Sequence, residues 1–312
     1  RYISDLHEGD QVSEIYLCKT KSPGTSKFGK SYYSLTLQDK TGMIDGKVWE
    51  LTNAIGHFEA MDYILVRGQV TSYQGSNQLN IQQIRKAQEG EFDMADYMPS
   101  TKKDIDGMFK ELLAMISKTK NQYLKQLAEK IFIKDKNFAR EFKVHSAAKS
   151  VHHGYIGGLL EHSLSVAKIC ESYANLYPQL NRDLIVMCAL WHDMGKVEEL
   201  SSFPENDYTD EGQLVGHIVM GAIKLDRLIR EIPGFPPKLA NEVKHCMLAH
   251  HGELEFGSPK KPALLEAIAL SQADNLDAKM ETFAEIMEKQ KEDQEWSGFQ
   301  RLLDTRIRKT SI

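Results

Sequence analysis

A histidine and an aspartate adjoin in Trp191-His192-Asp193-Met194-Gly195-Lys196, close to the end of an apolar segment, Leu184–Leu190. Neighbouring imidazole and carboxylate groups hold a divalent cation only when distant parts of the chain supply further ligands. His162, His217, the doublet His250-His251 and Asp274 are the candidates. His162 shares an apolar helical face with Val166, Ile169 and Tyr173, where a histidine standing alone is more often a satisfied core residue than a ligand. His192 falls on a helical stripe with Leu184 and Cys188, and Gly195 can close that helix. His217 opens an amphipathic segment with Ile218, Gly221, Leu225 and Leu228, while His250 and His251 end one carrying Leu239, Val243 and Met247. Asp274 interrupts the mostly apolar stretch Pro262–Met280, where an ionised carboxylate is unfavourable unless paired or metal-bound. One polar intrusion means little; intrusions in successive helices predict a common centre.

Neutral imidazoles with carboxylates suit Mn²⁺, Fe²⁺, Co²⁺, Ni²⁺ or Zn²⁺ better than Ca²⁺ or thiolate-preferring metals. The set exceeds what one tetrahedral ion needs, which points to two ions sharing a carboxylate.

The segments that must position these side chains change period along the chain. From Gln11 to Arg85 short alternating stretches separated by turn residues predict strands near Gln11–Lys19, Ser31–Gln38, Met43–Trp49, Tyr63–Thr71 and Gln78–Arg85. In the second, Tyr33, Leu35 and Leu37 share the face expected to fill a core, opposite Tyr32, Ser34 and Thr36. A short helix is expected at Leu51–Phe58, between the third and fourth strands, which is the order of an OB-fold barrel. Such barrels bind single-stranded nucleic acid or oligosaccharide across strands two and three and the adjoining loops. The loop after strand one holds Lys19, Lys21, Lys27, Phe28 and Lys30, strand two carries Tyr32, and the loop after strand four carries Tyr73. Lysines track phosphates and aromatic rings stack on bases, so Lys27, Phe28, Lys30, Tyr32 and Tyr73 are the candidate nucleic-acid contacts. The competing reading is a solvated Lys-rich loop, with Tyr32 or Trp49 in the core.

The acidic stretch from Glu89 to Ser100 reads as a linker, and beyond it the period becomes helical, with helices expected at Ile105–Ile116 and Tyr123–Ile133. The expected organisation is a multidomain chain: an all-β OB-fold barrel over residues 1–90, a linker with connecting helices over 91–135, an all-α domain over 136–285 and a helical tail over 286–312.

With 312 residues, 41% apolar and 27% charged, the composition is that of an ordinary globular protein. No apolar run approaches the roughly 20 residues of a membrane span, and the first residues lack the apolar core of a signal peptide, so no membrane partner and a cytoplasmic location are expected. The cysteines Cys18, Cys170, Cys188 and Cys246 are scattered, which argues against a disulfide framework and a thiolate zinc site. The net charge of −5 excludes an overall basic nucleic-acid binder but leaves room for a local basic face.

His162, His192-Asp193 and Asp274 resemble the H…HD…D signature of the HD-domain metal-dependent phosphohydrolases, and His217 with His250 resembles the extra ligands of the two-metal members. Together with the barrel and the junction segment His152–Ala167, the chain resembles the YhaM family of bacterial 3′-5′ exoribonucleases over nearly its whole length. That resemblance implies one metal on His162, His192, Asp193 and Asp274, with Asp193 bridging to a second on His217 and His250. His251 is the alternative to His250, or a phosphate contact. Lys196 follows the HD pair as in the family's HDxGK pattern and is implied to meet a phosphate oxygen; the bland alternative is a solvated lysine at a helix end. His152 and His153, just upstream of the first ligand, are candidate phosphate or leaving-group contacts. The expectation is hydrolysis of single-stranded RNA, with single-stranded DNA a second candidate, by a water activated between two divalent ions. Manganese leads the choice of metal, with cobalt, iron, nickel and magnesium as alternatives, and the tail could pack on the domain or between subunits of a homo-oligomer. The competing expectations are a phosphodiesterase or phosphatase acting on small nucleotides with a regulatory barrel, and a single-strand-binding protein whose metal is only structural.

Overall fold

The computed structural model describes the chain except for residues 27–28, 74–75, 150–152, 291–294, 301–302 and 312, and the side chain of Lys289. Two compact units make up the chain, one of Arg1–Ser100 with Phe203–Glu205 and the other of Thr101–Ser202 with Asn206–Ile312.

In the first unit β1 (Gln11–Thr25), β2 (Ser31–Asp39), β3 (Gly42–Val48), β4 (Tyr63–Tyr73) and β5 (Ser76–Lys86) close into a barrel in the order β1-β2-β3-β5-β4. The β3–β5 pairing is parallel and the others are antiparallel, which is the topology of an OB-fold. Period-two alternation sends Val12, Leu35, Leu37, Ile44, Val66, Leu79 and Ile81 inward, so one face of each strand is buried. β1 serves two partners: Gln11–Leu17 pair with β4, and Leu17–Thr25 pair with β2, the second ladder shifting register between Cys18 and Thr20. Lys19 and Lys21, expected in a loop, therefore lie in this longer strand. Lys21 Nζ donates to the Phe58 carbonyl at 2.6 Å and rests over the Tyr33 and Phe58 rings, which makes it part of the barrel wall.

The helix expected at Leu51–Phe58 is absent. The backbone there bonds to β5 instead, with Gly56 N–H to Ile84 O at 2.8 Å and Ile84 N–H to Ala54 O at 3.0 Å. Hydrogen bonding to a neighbouring strand replaces the internal ladder that a short helix would need. The acidic stretch after β5 is also no free linker: Phe92 and Tyr97 pack on the Tyr63 ring, Arg85 grips Glu91 through both terminal nitrogens, and Met98 is buried.

The second unit is helical: α1 (Ile105–Ser117), α2 (Gln122–Glu129), α3 (Lys136–Val144), α4 (Gly158–Leu176), α5 (Arg182–Trp191), α6 (Lys196–Glu199), α7 (Asp210–Val215), α8 (His217–Arg230), α9 (Pro237–Ala249) and α10 (Leu265–Lys289). A π-helical turn, Lys130–Lys134, extends α2. Every residue of α5 from Leu184 to Trp191 is buried, as a helix apolar all round must be, and it packs against α2, α4, α9 and α10. The expected connecting helices belong to this core, to which α1 gives Leu112 and Ile116 and α2 gives Leu124 and Leu127. The tail corrects another expectation. Beyond α10 the described residues form turns and isolated bridges, Trp296 with Arg308 and Gln300 with Thr305, where Gly298 and Asp304 (φ 50°) interrupt any helical run. No helix among the described residues is long and apolar enough to cross a membrane.

Candidate metal centre and nucleic-acid face

Helix ends bring the polar side chains of the second unit together. His162 lies in the second turn of α4, and His192 and Asp193 occupy the turn just past α5. His217 is the first residue of α8, His250 follows the last residue of α9, and Asp274 sits inside α10. His192, Asp193 and His250 are essentially inaccessible, and Asp274 keeps a slightly open side.

The imidazoles share one orientation device. Nδ1 donates to Ala189 O in His192 (2.8 Å), to Met247 O in His250 (2.7 Å) and to Phe256 O in His251 (2.8 Å). In His162 it meets Asp277 Oδ2 at 2.7 Å and in His217 Glu199 Oε1 at 2.9 Å. Carbonyl and carboxylate oxygens only accept, so each Nδ1 carries the hydrogen and each Nε2 is left to bind elsewhere.

The Nε2 atoms of His162, His192, His217 and His250 surround the Asp193 carboxylate. Oδ2 lies 3.5 Å from His162 Nε2 and 3.4 Å from His192 Nε2, and Asp274 Oδ1 lies 3.1 and 3.8 Å from the same two nitrogens. Oδ1 lies 3.5 Å from both His217 Nε2 and His250 Nε2. Ligands about 2.1 Å from one ion at tetrahedral or octahedral angles stand about 3.0–3.5 Å apart, the spacing seen here for every pair but His192 with Asp274. Asp193 Oδ1, His217 Nε2 and His250 Nε2 are moreover buried without a hydrogen-bond partner among the described residues. Buried polar atoms without partners are unfavourable, and three converging on one point fit a cation. The donor set thus suits a divalent metal.

Electrostatics agree. Burial raises the Asp193 carboxyl, but the Lys196 and His192 charges outweigh it and hold the acid well below its usual range. Burial depresses His162, yet hydrogen bonds that its ring donates to Asp193, Asp274 and Asp277 leave it well above an ordinary histidine. His192 follows the same pattern, burial being outweighed chiefly by the Asp193 charge, and reaches about 9. Burial lowers His250 and His251.

Lys196 Nζ lies 2.7 Å from Asp193 Oδ2 and lines the cavity of about 700 Å³ that opens onto the centre. His153 also lines it, with both ring nitrogens engaged, Nδ1 with the Tyr155 hydroxyl at 2.8 Å and Nε2 with Asp277 Oδ2 at 3.1 Å. His152 lies outside the described residues. His250 is nearer Asp193, and the His250 and His251 ring centroids are 4.5 Å apart, so the structure brings both members of the doublet to this wall.

Two positioning carboxylates escaped sequence reasoning. Asp277, one turn beyond Asp274, joins His162, His153 and Ser165. Glu199, one turn beyond Lys196, accepts from both the backbone N–H and Nδ1 of His217 at 2.9 Å. The i, i+3 spacing of each from a candidate residue was the available signal.

On the barrel, Lys30 is exposed and Tyr73 is 61% exposed, while Lys27 and Phe28 lie outside the described residues. Tyr32 is half-buried, its ring 5.0 Å from that of Trp49 and 5.7 Å from Lys47 Nζ. Gly24 makes room for it, since a Cβ there would stand 2.5 Å from Tyr32 Cζ. Trp49 and Lys47, not among the expected contacts, thus extend the outer face of β2 and β3.

Comparison with known proteins sets this geometry in a lineage. Residues 159–279 match the HD domain family. The 3′-5′ exoribonuclease YhaM of Bacillus velezensis is 35% identical over 278 residues, covering 88% of this chain and 87% of that protein. The chain belongs to the YhaM family of 3′-5′ exoribonucleases. Among solved structures, the HD domain of the Listeria monocytogenes phosphodiesterase PgpH is similar at 18% identity and a TM-score of 0.32, over 49% of this chain and 80% of that one. The second OB-fold domain of replication protein A from Methanococcus maripaludis is similar at 21% identity and a TM-score of 0.23, over 30% of this chain and 98% of that one. Membership of the YhaM family makes the protein an enzyme with an HD-type, divalent-metal-binding centre.

Two measurements test the centre. His162 and His192 have raised pKa values, so they keep protons at neutral pH and lose them as pH rises through the shifted values. A cation must displace those protons. Metal uptake by the chelator-treated protein at about pH 7.5 therefore releases protons, read by calorimetry in buffers of different ionisation enthalpy, and affinity rises with pH towards about 9. A buffer-independent enthalpy would contradict this. In Gly195→Ala the new Cβ would stand 2.1 Å from the His217 carbonyl oxygen, so the Asp193 turn and His217 must move apart. Metal affinity should fall roughly 10- to 100-fold with helical circular dichroism retained.

Proposed function

We propose that the protein is a metal-dependent 3′-5′ exoribonuclease that shortens single-stranded RNA to nucleoside 5′-monophosphates, with single-stranded DNA as a further substrate class. The observation that carries the reading is Asp193, whose two oxygens face two separate ligand sets, Oδ2 with His162, His192 and Asp274, Oδ1 with His217 and His250. These residues would hold two divalent ions with Asp193 between them, manganese first, with cobalt, iron, nickel or magnesium able to substitute. Such ions polarise phosphoryl oxygens and acidify a water molecule near neutral pH, so no protein nucleophile is needed.

The chain's own groups do the rest. Lys196 reaches the cavity with its ammonium and would stabilise charge on a phosphate oxygen, a contribution of about 3–4 kcal/mol for a preorganised contact of this kind. His251 and His153 line the same cavity and would contact the phosphate or the leaving group. Asp277 and Glu199 fix the rings of His162 and His217, so that the ligand atoms need no reorganisation. Residues 1–90 would add affinity for the strand through Lys30, Tyr32, Trp49 and Tyr73, with Lys27 and Phe28 as further contacts. Residues 136–285 would carry the hydrolysis. The 3′-5′ polarity follows the YhaM relative.

With 5′-labelled single-stranded RNA and Mn²⁺, the expected product is a ladder shortening from the 3′ end. It should vanish in chelator and slow by roughly 10²–10³-fold or more in Asp193→Ala. Equal activity in chelator would sink the metal mechanism, and hydrolysis of small phosphodiesters without RNA shortening would favour a nucleotide phosphodiesterase. Tyr32→Ala and Trp49→Ala should each weaken single-strand binding roughly 5- to 150-fold, measured by fluorescence polarisation in chelator. An unchanged dissociation constant would remove that ring from the interface.

A further inference from the structure

The cavity over the metal centre is lined by residues of two chemical kinds. His162, His250, Asp274 and Lys196 are polar or charged. Phe256 is a large apolar residue that is nevertheless 63% exposed. Phe256 does not hang freely. Its backbone carbonyl accepts the Nδ1 hydrogen of His251 at 2.8 Å, and Ser258, two residues on, donates to Leu248 O at 2.9 Å. The segment that presents the ring is thus tied to the end of α9 that supplies His250.

One face of α10 also lines the cavity, with Gln272 and Asn275 flanking Asp274 along the helix. Both side chains are exposed, and neither amide hydrogen-bonds to another described residue. An amide offers a donor and an acceptor side by side, which matches a sugar hydroxyl that both gives and takes a hydrogen bond. A volume of about 700 Å³ lies within the roughly 300–1,000 Å³ of small-molecule sites.

We infer that this cavity is the subsite of the terminal nucleotide, in which Phe256 stacks on the base while Gln272 and Asn275 bind the ribose hydroxyls. The inference rests on the exoribonuclease reading and adds to it the recognition of the leaving nucleotide. An aromatic face accepts any base, so the site is indifferent to sequence, as stepwise degradation of a strand requires. The amide pair gives the subsite a preference for ribose over 2′-deoxyribose.

Calorimetry on the manganese-loaded full chain tests it with three small ligands: adenosine 5′-monophosphate, its 2′-deoxy analogue and ribose 5-phosphate. The wild type should bind the ribonucleotide roughly 5- to 150-fold more tightly than ribose 5-phosphate, the gain from one base stack. Phe256→Ala should erase that ratio and Phe256→Trp restore it. The wild type should also prefer the ribonucleotide to the deoxynucleotide by roughly 2- to 10-fold, and the double variant Gln272→Ala/Asn275→Ala should abolish the preference. Equal binding of nucleotide and ribose 5-phosphate by the wild type, or an undiminished ratio in Phe256→Ala, would overturn the inference while leaving RNA shortening intact. Failure of the wild type to shorten RNA, with these ratios present, would instead overturn the exoribonuclease reading and leave a mononucleotide site.

Discussion

One buried carboxylate organises the helical unit. Asp193 is removed from water, and a carboxylate there is tolerated only because Lys196 and a ring of imidazoles surround it. The imidazoles come from α4, from the start of α8 and from the turns that follow α5 and α9, and Asp274 joins them from inside α10, so the requirement to satisfy one charge constrains how α4, α5, α8, α9 and α10 meet. Gly195 shows how tight that constraint is: its backbone lies against His217 with no space for a methyl group.

The imidazoles do not orient themselves. Each Nδ1 is spent on a backbone carbonyl or on a carboxylate, Asp277 or Glu199, which leaves Nε2 directed at Asp193 or Asp274. Carbonyls at helix C-termini are available for this because they have no partner within the helix. Placing His192 and His250 just after α5 and α9 therefore couples helix termination to ligand orientation, and Asp193 inherits its position from the same turn.

The barrel solves a different problem. A closed sheet has no edge to protect, which frees the outer face of β2 and β3 to carry rings and lysines. Tyr32 and Trp49 lie side by side there with Lys47 above, a surface of the kind that single strands stack on, while Lys21 has been drawn into the wall.

Period-two alternation was enough to set out five strands, because burial of one face forces it, and the helical period with its polar intrusions was enough to mark His162, His192, Asp193, His217, His250, His251 and Asp274 as candidates for one centre. Alternation could not show that β1 runs on past Lys19, since Thr20–Thr25 has no apolar face to read, nor that 51–58 would bond to β5 rather than to itself. Local pattern is likewise silent on which nitrogen of a histidine faces inward and on the roles of Asp277 and Glu199, because those are set by atoms distant in sequence. Residue types and spacing determined that a cation centre was to be expected. Only the packing of helix ends decided that the two oxygens of Asp193 would face different ligand sets, because a carboxylate's neighbours are fixed by tertiary contacts that no periodicity encodes.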